Sequence, residues 1–333
     1  MLIDGKWTSD WQPVQAKDEK GRFLRQTSSF RNWITPDGQA GPTGNSGFAA
    51  EAGRYRLYVA LICPWASRAL IARKLKGLED LIPVTVASPV LTDQGWQFGG
   101  FPGAHEDPLF GADYMHEIYT RADPHFTGRA TVPVLWDEKR NEMVNNESAD
   151  ILRMFNSAFA ELAPNAVDLY PDHLAEQIDE IAPWLYDKLN NGVYKSGFAS
   201  SQGAYNEAVQ IVFDALDTLE DRMTDGRPFL HGTEITESDI RLFVTLIRFD
   251  AAYHGLFKTN LKRISDYPQL VAYLARMLKV RGIRDTVDLT HIKAGYYSIK
   301  TLNPGGIVPL GPQYIDQMMA GSTPIPTKYH AKS

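Results

Sequence analysis

The chain has 333 residues, room for two domains at ~150 residues each, and its 44% hydrophobic and 22% charged residues are the balance of an ordinary soluble globular protein. A formal net charge of −6 with no basic stripe weighs against nucleic-acid binding. One cysteine makes no internal disulfide, no apolar run approaches the ~18 residues of a membrane helix, and the opening MLIDGKWTSD lacks the apolar core of a secretion signal, so the expected setting is a reducing cytoplasm.

Residues 1–50 are polar, rich in Gly and Trp, and read as a flexible arm laid over the body. Gly38, Gly41, Gly44 and Gly47 recur every third residue, but without the leading strand and GK[ST] of a phosphate loop. From residue 54 the pattern turns regular. YRLYVALI predicts a buried strand, and PWASRALIARKLK predicts a helix with Pro64 in its first turn. LIPVTVASPV predicts a second strand. Residues 92–112 read as a loop, followed by a short helix near DYMHEIYTRA. TVPVLWD and EMVNN predict paired strands around a turn at EKRN. ESADILRMFNSAF predicts an amphipathic helix with Ile151, Leu152 and Phe155 on one face. This order, β-α-β-α-β-β-α, suits a thioredoxin-type domain over 51–160.

Segments around 172–190, 203–223, 236–250 and 267–279 have helical periodicity, which predicts an all-helical domain over 161–290. Within it Thr236 and Asp239 are spaced as a capping box, with Asp in place of the usual Glu, and Ile235 and Ile240 are spaced as the accompanying hydrophobic staple. Residues 291–333 are rich in Gly and Pro and read as a wrapping tail.

The single cysteine, Cys63, stands between a strand and a helix, followed directly by Pro64. A helix N-terminus presents unpaired N–H groups and the positive end of the dipole, so a thiolate there is favoured and its pKa is expected below the free value of ~8.5. CPWA has the form of a dithiol redox motif with Ala66 at the second position. With no other Cys in the chain, a mixed disulfide at Cys63 requires an outside thiol, and glutathione is the abundant candidate. The plainer reading is an inert thiol packed in the core, the usual fate of a lone Cys; the strand–Cys-Pro–helix position favours the reactive one. Pro133 opens a strand in RATVPVLW, where Val132 would offer its backbone groups to a peptide. Glu147 and Ser148 stand at a predicted helix start suited to a carboxylate. No HExxH motif or Cys cluster is present, so no metal site is expected, and no GxSxG motif supports a serine triad.

CPWA, TVP and NES in one half and the capping box in the other resemble the glutathione transferases. FRNWITPDG and GPTG in the arm, with DPHFTGRATVPVLWD, NNGVYKSGFA and ESDIRLFVTLIRFD, resemble more narrowly the glutathionyl-hydroquinone reductases, the xi class. The resemblance implies an α/β plus all-α protein: a thioredoxin-like N-terminal domain followed by a glutathione-transferase-type helical C-terminal domain, assembled as a homodimer. It implies glutathione as co-substrate and glutathionyl-hydroquinones as substrates, with no nucleic acid, membrane or metal involved. By the same resemblance Cys63 attacks the conjugate's sulfur, and Trp96, Arg129, Val132, Glu147 and Ser148 hold glutathione. Tyr194 donates a proton to the leaving hydroquinone, and Tyr253 and Tyr296 help hold the thiolate. Tyr297 adjoins Tyr296, so either ring is available to face the site.

Each aromatic also has a packing role open to it. Two other functions compete: a general glutathione-dependent thiol transferase or dehydroascorbate reductase, which needs no aromatic pocket, and a non-catalytic glutathione-transferase-like scaffold, which needs no nucleophile.

Overall fold

The computed structural model describes residues 1–9, 16–163 and 167–321. The last part of the predicted tail therefore lies outside the described residues. A two-stranded hairpin, β1 (Leu2–Ile3) and β2 (Lys6–Trp7), opens the chain. The main sheet follows with β3 (Tyr55–Val59), β4 (Val84–Thr92), β5 (Gly95–Phe98), β6 (Val134–Asp137) and β7 (Glu142–Asn145), in the spatial order β5-β4-β3-β6-β7. β3 is central, and every residue of it but Arg56 is buried, the mark of a strand covered on both faces. It pairs in parallel with β4, Leu57 opposite Val84, and antiparallel with β6, Leu57 opposite Leu135. The parallel pair is bridged by α1 (Pro64–Leu75); α2 (Met115–Ala122) and α3 (Ser148–Ser157) complete the domain.

β5 lies inside the stretch read from sequence as a loop. It forms a hairpin with β4 through Gly95, whose φ of +82° suits glycine. The strand is a short edge, half-buried at Trp96 and Gln97, and the arm covers its turn: Trp7 Nε1 donates to the Asp93 carbonyl at 3.0 Å. Pro89, awkward inside a ladder, falls where the β4–β5 register shifts between Ala87 and Leu91.

The arm is tied in rather than loosely laid on. Leu2, Phe23, Ile34 and Phe48 are buried in the core. Leu2 and Gly128 exchange backbone hydrogen bonds at 2.9 and 3.0 Å, and Asn32 N–H donates to the Val144 carbonyl of the edge strand β7. Arg31 pairs with Asp150 of α3.

The second half is helical. α4 (Ala175–Trp184) runs on through a π-helical stretch at Leu185–Asn190 into α5 (Gly192–Gly197), then α6 (Gln202–Arg222). α7 (Glu237–Arg248) continues through a π-helical stretch, Phe249–Tyr253, to the short α8 (His254–Leu256). α9 (Pro268–Lys279), α10 (Leu289–Tyr297) and α11 (Gln313–Met319) follow. The last two fall partly or wholly in the region read as a patternless tail. Among the described residues no helix is long and apolar enough to cross a membrane.

All 12 residues of α7 are buried, so its polar groups must be paired internally. The predicted capping box does this at its N-terminus. Asp239 Oδ2 accepts from Thr236 N–H at 2.9 Å, while Oδ1 accepts from Leu230 N–H at 2.8 Å and Tyr273 OH at 3.0 Å. Burial nevertheless pushes the Asp239 carboxyl up to about 6, against the pull of those donors. At the other end Arg248 crosses the domain seam. Its guanidinium donates to the carbonyls of Ile62 (2.7 Å) and Leu61 (2.8 Å) and to Ser67 Oγ (2.7 Å), besides Val244 O of its own helix (2.8 Å). α7 is thereby tied to the turn that delivers Cys63.

Candidate active site

A cleft of ≈ 450 Å³ opens along this seam and is lined by Cys63 and by residues of both domains and the arm. Cys63 is the N-cap of α1, extended at φ −75° and ψ 118°, with Pro64 following in the first turn. Its carbonyl accepts the first helical bond from Ser67 N–H at 3.0 Å. The sulfur is half-buried and lies 3.6 Å from the Val132 carbonyl, to which the thiol donates. The N–H groups of Ala66 and Trp65 favour the thiolate, as the sequence position predicts, and the positive charges of Arg248 and Arg25 add to them. Burial outweighs all four, so the thiol stands above its ordinary value, not below it. The direction is thus opposite to the expected depression: the helix-start donors are present, but desolvation of the thiol outweighs them.

The glutathione candidates gather on the thioredoxin-like side. Trp96 projects from β5 and lines the cleft. Arg129 lies on the loop before β6. Burial, and then the nearby Arg25 charge, lower its guanidinium to about 10, still cationic at neutral pH. Val132 is buried, and its bond to Pro133 is cis. Glu147 is the N-cap of α3 and accepts from Ala149 N–H at 3.1 Å; Ser148 is the helix's first residue. From the arm, Ser28 Oγ donates to Glu147 Oε2 at 2.8 Å.

The three tyrosines come from α5, the π-helical stretch after α7, and α10. Their phenols bond one another: Tyr194 to Tyr296 at 2.7 Å and Tyr253 to Tyr296 at 2.9 Å. Tyr296 is 2% exposed and lines the cleft, which decides between it and Tyr297. Gly295 makes this possible, because a Cβ there would stand 2.5 Å from Ile62 Cδ1 and 2.6 Å from the Pro89 carbonyl. Burial raises all three phenols above their ordinary value, and for Tyr194 the charge of Cys63 is the next cause. They therefore hold their protons at neutral pH. The hydrogen bonds of these phenols run within the trio, while those of the sulfur go to backbone groups. Among the described residues no group of three or more His, Cys, Asp or Glu is placed to hold a metal ion.

Three contributors were not singled out from sequence. Arg248 positions the Cys63 turn; Trp65 of α1 and Arg25 of the arm line the cleft. Trp65 sits inside the CPWA motif, which was a signal; nothing in the local pattern distinguishes the two arginines.

A thioredoxin-like domain, a helical domain and a lone N-capping cysteine between them define a cysteine-type glutathione transferase. The descriptions "Glutathione S-transferase, N-terminal domain" and "Glutathione S-transferase, C-terminal domain" match residues 62–158 and 202–276. The chain is 51% identical over 314 residues to glutathionyl-hydroquinone reductase YqjG of Escherichia coli K12, covering 94% of this chain and 95% of that protein. It is 45% identical to glutathionyl-hydroquinone reductase PcpF of Sphingobium chlorophenolicum, over 94% and 96% of the two chains. The glutathione-bound structure of YqjG matches with a TM-score of 0.86 at 48% identity, over 94% and 95% of the two chains. The glutathione S-transferase Xi of Phanerochaete chrysosporium matches at 0.83 and 48%, over 87% and 97%. The chain belongs to the xi-class glutathione S-transferases, the family of the glutathionyl-hydroquinone reductases.

Proposed function

We propose that the protein reduces glutathionyl-hydroquinones to hydroquinones with glutathione as the electron donor. The observation that carries this reading is a single thiol at a helix start, in a cleft lined also by the phenols of Tyr194 and Tyr296, which are hydrogen-bonded to each other and, through Tyr296, to the buried Tyr253 behind them. Trp96, Arg129, Val132, Glu147 and Ser148 hold the glutathionyl part, the α3 start taking its free carboxylate. The ring lies toward Tyr194 and Trp65.

Tyr194, protonated at neutral pH, donates to the ring carbon that bears sulfur, while a ring hydroxyl gives up its proton. The ring becomes a dienone. The Cys63 thiolate then attacks the glutathionyl sulfur: an S–S bond forms, the C–S bond breaks, and its electron pair passes through the ring onto the oxygen. The product phenolate takes a proton and leaves as hydroquinone. Tyr253 and Tyr296 hold Tyr194 in place and relay its proton. A second glutathione thiolate attacks the glutathionyl sulfur of the mixed disulfide and releases glutathione disulfide and free Cys63. Overall, one conjugate and one glutathione give one hydroquinone and one glutathione disulfide. The absence of a second Cys in the sequence supports resolution by an outside thiol. The reading carries with it a homodimer and a cytoplasmic setting, where a lone thiol stays reduced.

The test is mass spectrometry and turnover together. Incubation with glutathione disulfide should add one glutathione at Cys63, and Cys63→Ala should abolish both the adduct and hydroquinone release while keeping the fold. Near-normal turnover by Cys63→Ala removes Cys63 from the mechanism. Adduct formation with no turnover of the conjugate turns the reading to a general thiol transferase or dehydroascorbate reductase. No adduct at all leaves the non-catalytic scaffold.

A further inference from the structure

Arg25 sits in the wall of the cleft, with no carboxylate of the described residues paired to its charge. Its Cζ lies 4.7 Å from the ring centroid of Trp65, 4.8 Å from that of Tyr194 and 5.2 Å from that of Phe23. Nε is anchored by Asn191 Oδ1 at 2.8 Å, and Asn191 is itself buried between the π-helical end of α4 and α5. Nη2 is buried without a hydrogen-bond partner among the described residues. No carboxylate there pairs with the guanidinium.

The Nη2 end of such a guanidinium has lost water and gained only ring faces, which satisfy its charge in part. Leaving a charged donor unpaired is costly. The arrangement suits a group that meets its partner only when the partner is formed. It stands beside Trp65 and Tyr194, near enough to Arg129 and to Cys63 for its charge to act on both. On the proposed reading the part of the cleft beside Tyr194 and Trp65 receives the hydroquinone ring, and the reaction there generates a negative charge on the ring oxygen.

We infer that Arg25 is a further catalytic residue of the reductase, whose guanidinium stabilises the phenolate oxygen formed as the C–S bond breaks. No new bond is made to it: it holds the oxyanion electrostatically until that oxygen is protonated. The inference rests on the proposed reductase reading and assigns the arm a part in the chemistry. A fixed donor aimed at developing charge commonly accounts for about 100-fold in rate.

The experiment is single-turnover release of hydroquinone, with no free glutathione present, by the wild type, Arg25→Met and Arg25→Lys. The substrates are glutathionyl conjugates of a series from methyl- to trichloro-hydroquinone, and the control is the mixed disulfide of glutathione with 2-mercaptoethanol. Met keeps an unbranched side chain against the rings, and its thermal midpoint is read alongside to show that the arm is still seated. Expected for Arg25→Met is a plateau rate down about 100-fold on the methyl conjugate, with the loss shrinking along the series as chlorine makes the phenolate a better leaving group. Compared at equal Cys63 thiolate fraction, which the Arg25 charge also favours, the mixed disulfide should react nearly as in wild type, and Arg25→Lys should recover part of the lost rate. Equal loss on the mixed disulfide, a loss independent of ring substitution, or weaker half-saturation with an unchanged plateau overturns the inference; the last outcome would make Arg25 a holder of a glutathione carboxylate. Failure of the wild type to release hydroquinone from any conjugate instead overturns the reductase reading beneath it.

Discussion

Replacing Arg248 by Met should lower stability and raise the thiol's titration together, and Arg248→Lys should separate the two effects. Of the four acceptors, Val244 O belongs to the helix's own ladder and Leu61 O is only part-buried, which leaves the Ile62 carbonyl and Ser67 Oγ as buried groups that lose their donor. At ~1–3 kcal/mol for each buried group left unpaired, two of them amount to about 4 kcal/mol for the Met variant. A lysine ammonium reaches one acceptor rather than spanning three, so about half that loss is expected for Arg248→Lys. The thiol responds to charge. Arg248 favours the Cys63 thiolate, so Met should move the titration upward, whereas Lys, which keeps the charge, should leave it near wild type. The assays are the urea unfolding midpoint at constant m and the pH dependence of Cys63 alkylation by iodoacetamide. Wild-type values in both for Arg248→Met would refute the reasoning. An equal thiol shift in both variants would show that Arg248 acts by placing the turn and not by its charge.

Tyr296→Phe deletes the hydroxyl that joins the other two phenols and should destabilise by about 1–3 kcal/mol, because the buried Tyr253 hydroxyl loses its bond to it. Its alkylation profile at Cys63 should match wild type, and so should that of Tyr253→Phe; an upward shift of about one pKa unit in either would mean that the phenol bonds the thiolate directly. For Asp239 the native carboxyl titrates at about 6 against 3.8 for the unfolded group. Between those values the native state keeps a proton that the unfolded chain has lost, so stability falls as pH rises through this window. Asp239→Asn should flatten that slope in urea midpoints measured from pH 4 to 7; an unchanged slope would assign it to other groups.

Local signals were legible in the sequence because the interactions that decide them lie within about ten residues. The β3–Cys63–α1 junction follows from an apolar run, a cysteine and Pro64. The α7 start follows from Thr236 and Asp239, three residues apart and hydrogen-bonded as that spacing requires. The α3 start at Glu147 and Ser148 and the β6–β7 pair are equally local. β5 was not legible, since an edge strand of four residues is too short to show an alternation and its turn is completed by Trp7 of the arm. Nor was the arm's entry into the core, which depends on partners such as Gly128 and Val144 more than 100 residues away. The choice of Tyr296 over Tyr297 needed α10 pressed through Gly295 against Ile62. Arg25 and Arg248 have no local signature at all: each acquires its role from a residue 166 or 186 positions distant. The thiol shows the division most clearly. Sequence alone determines that helix-start donors favour its charged form, while only the packed cleft decides how much water the sulfur loses, and that loss sets the direction of its pKa.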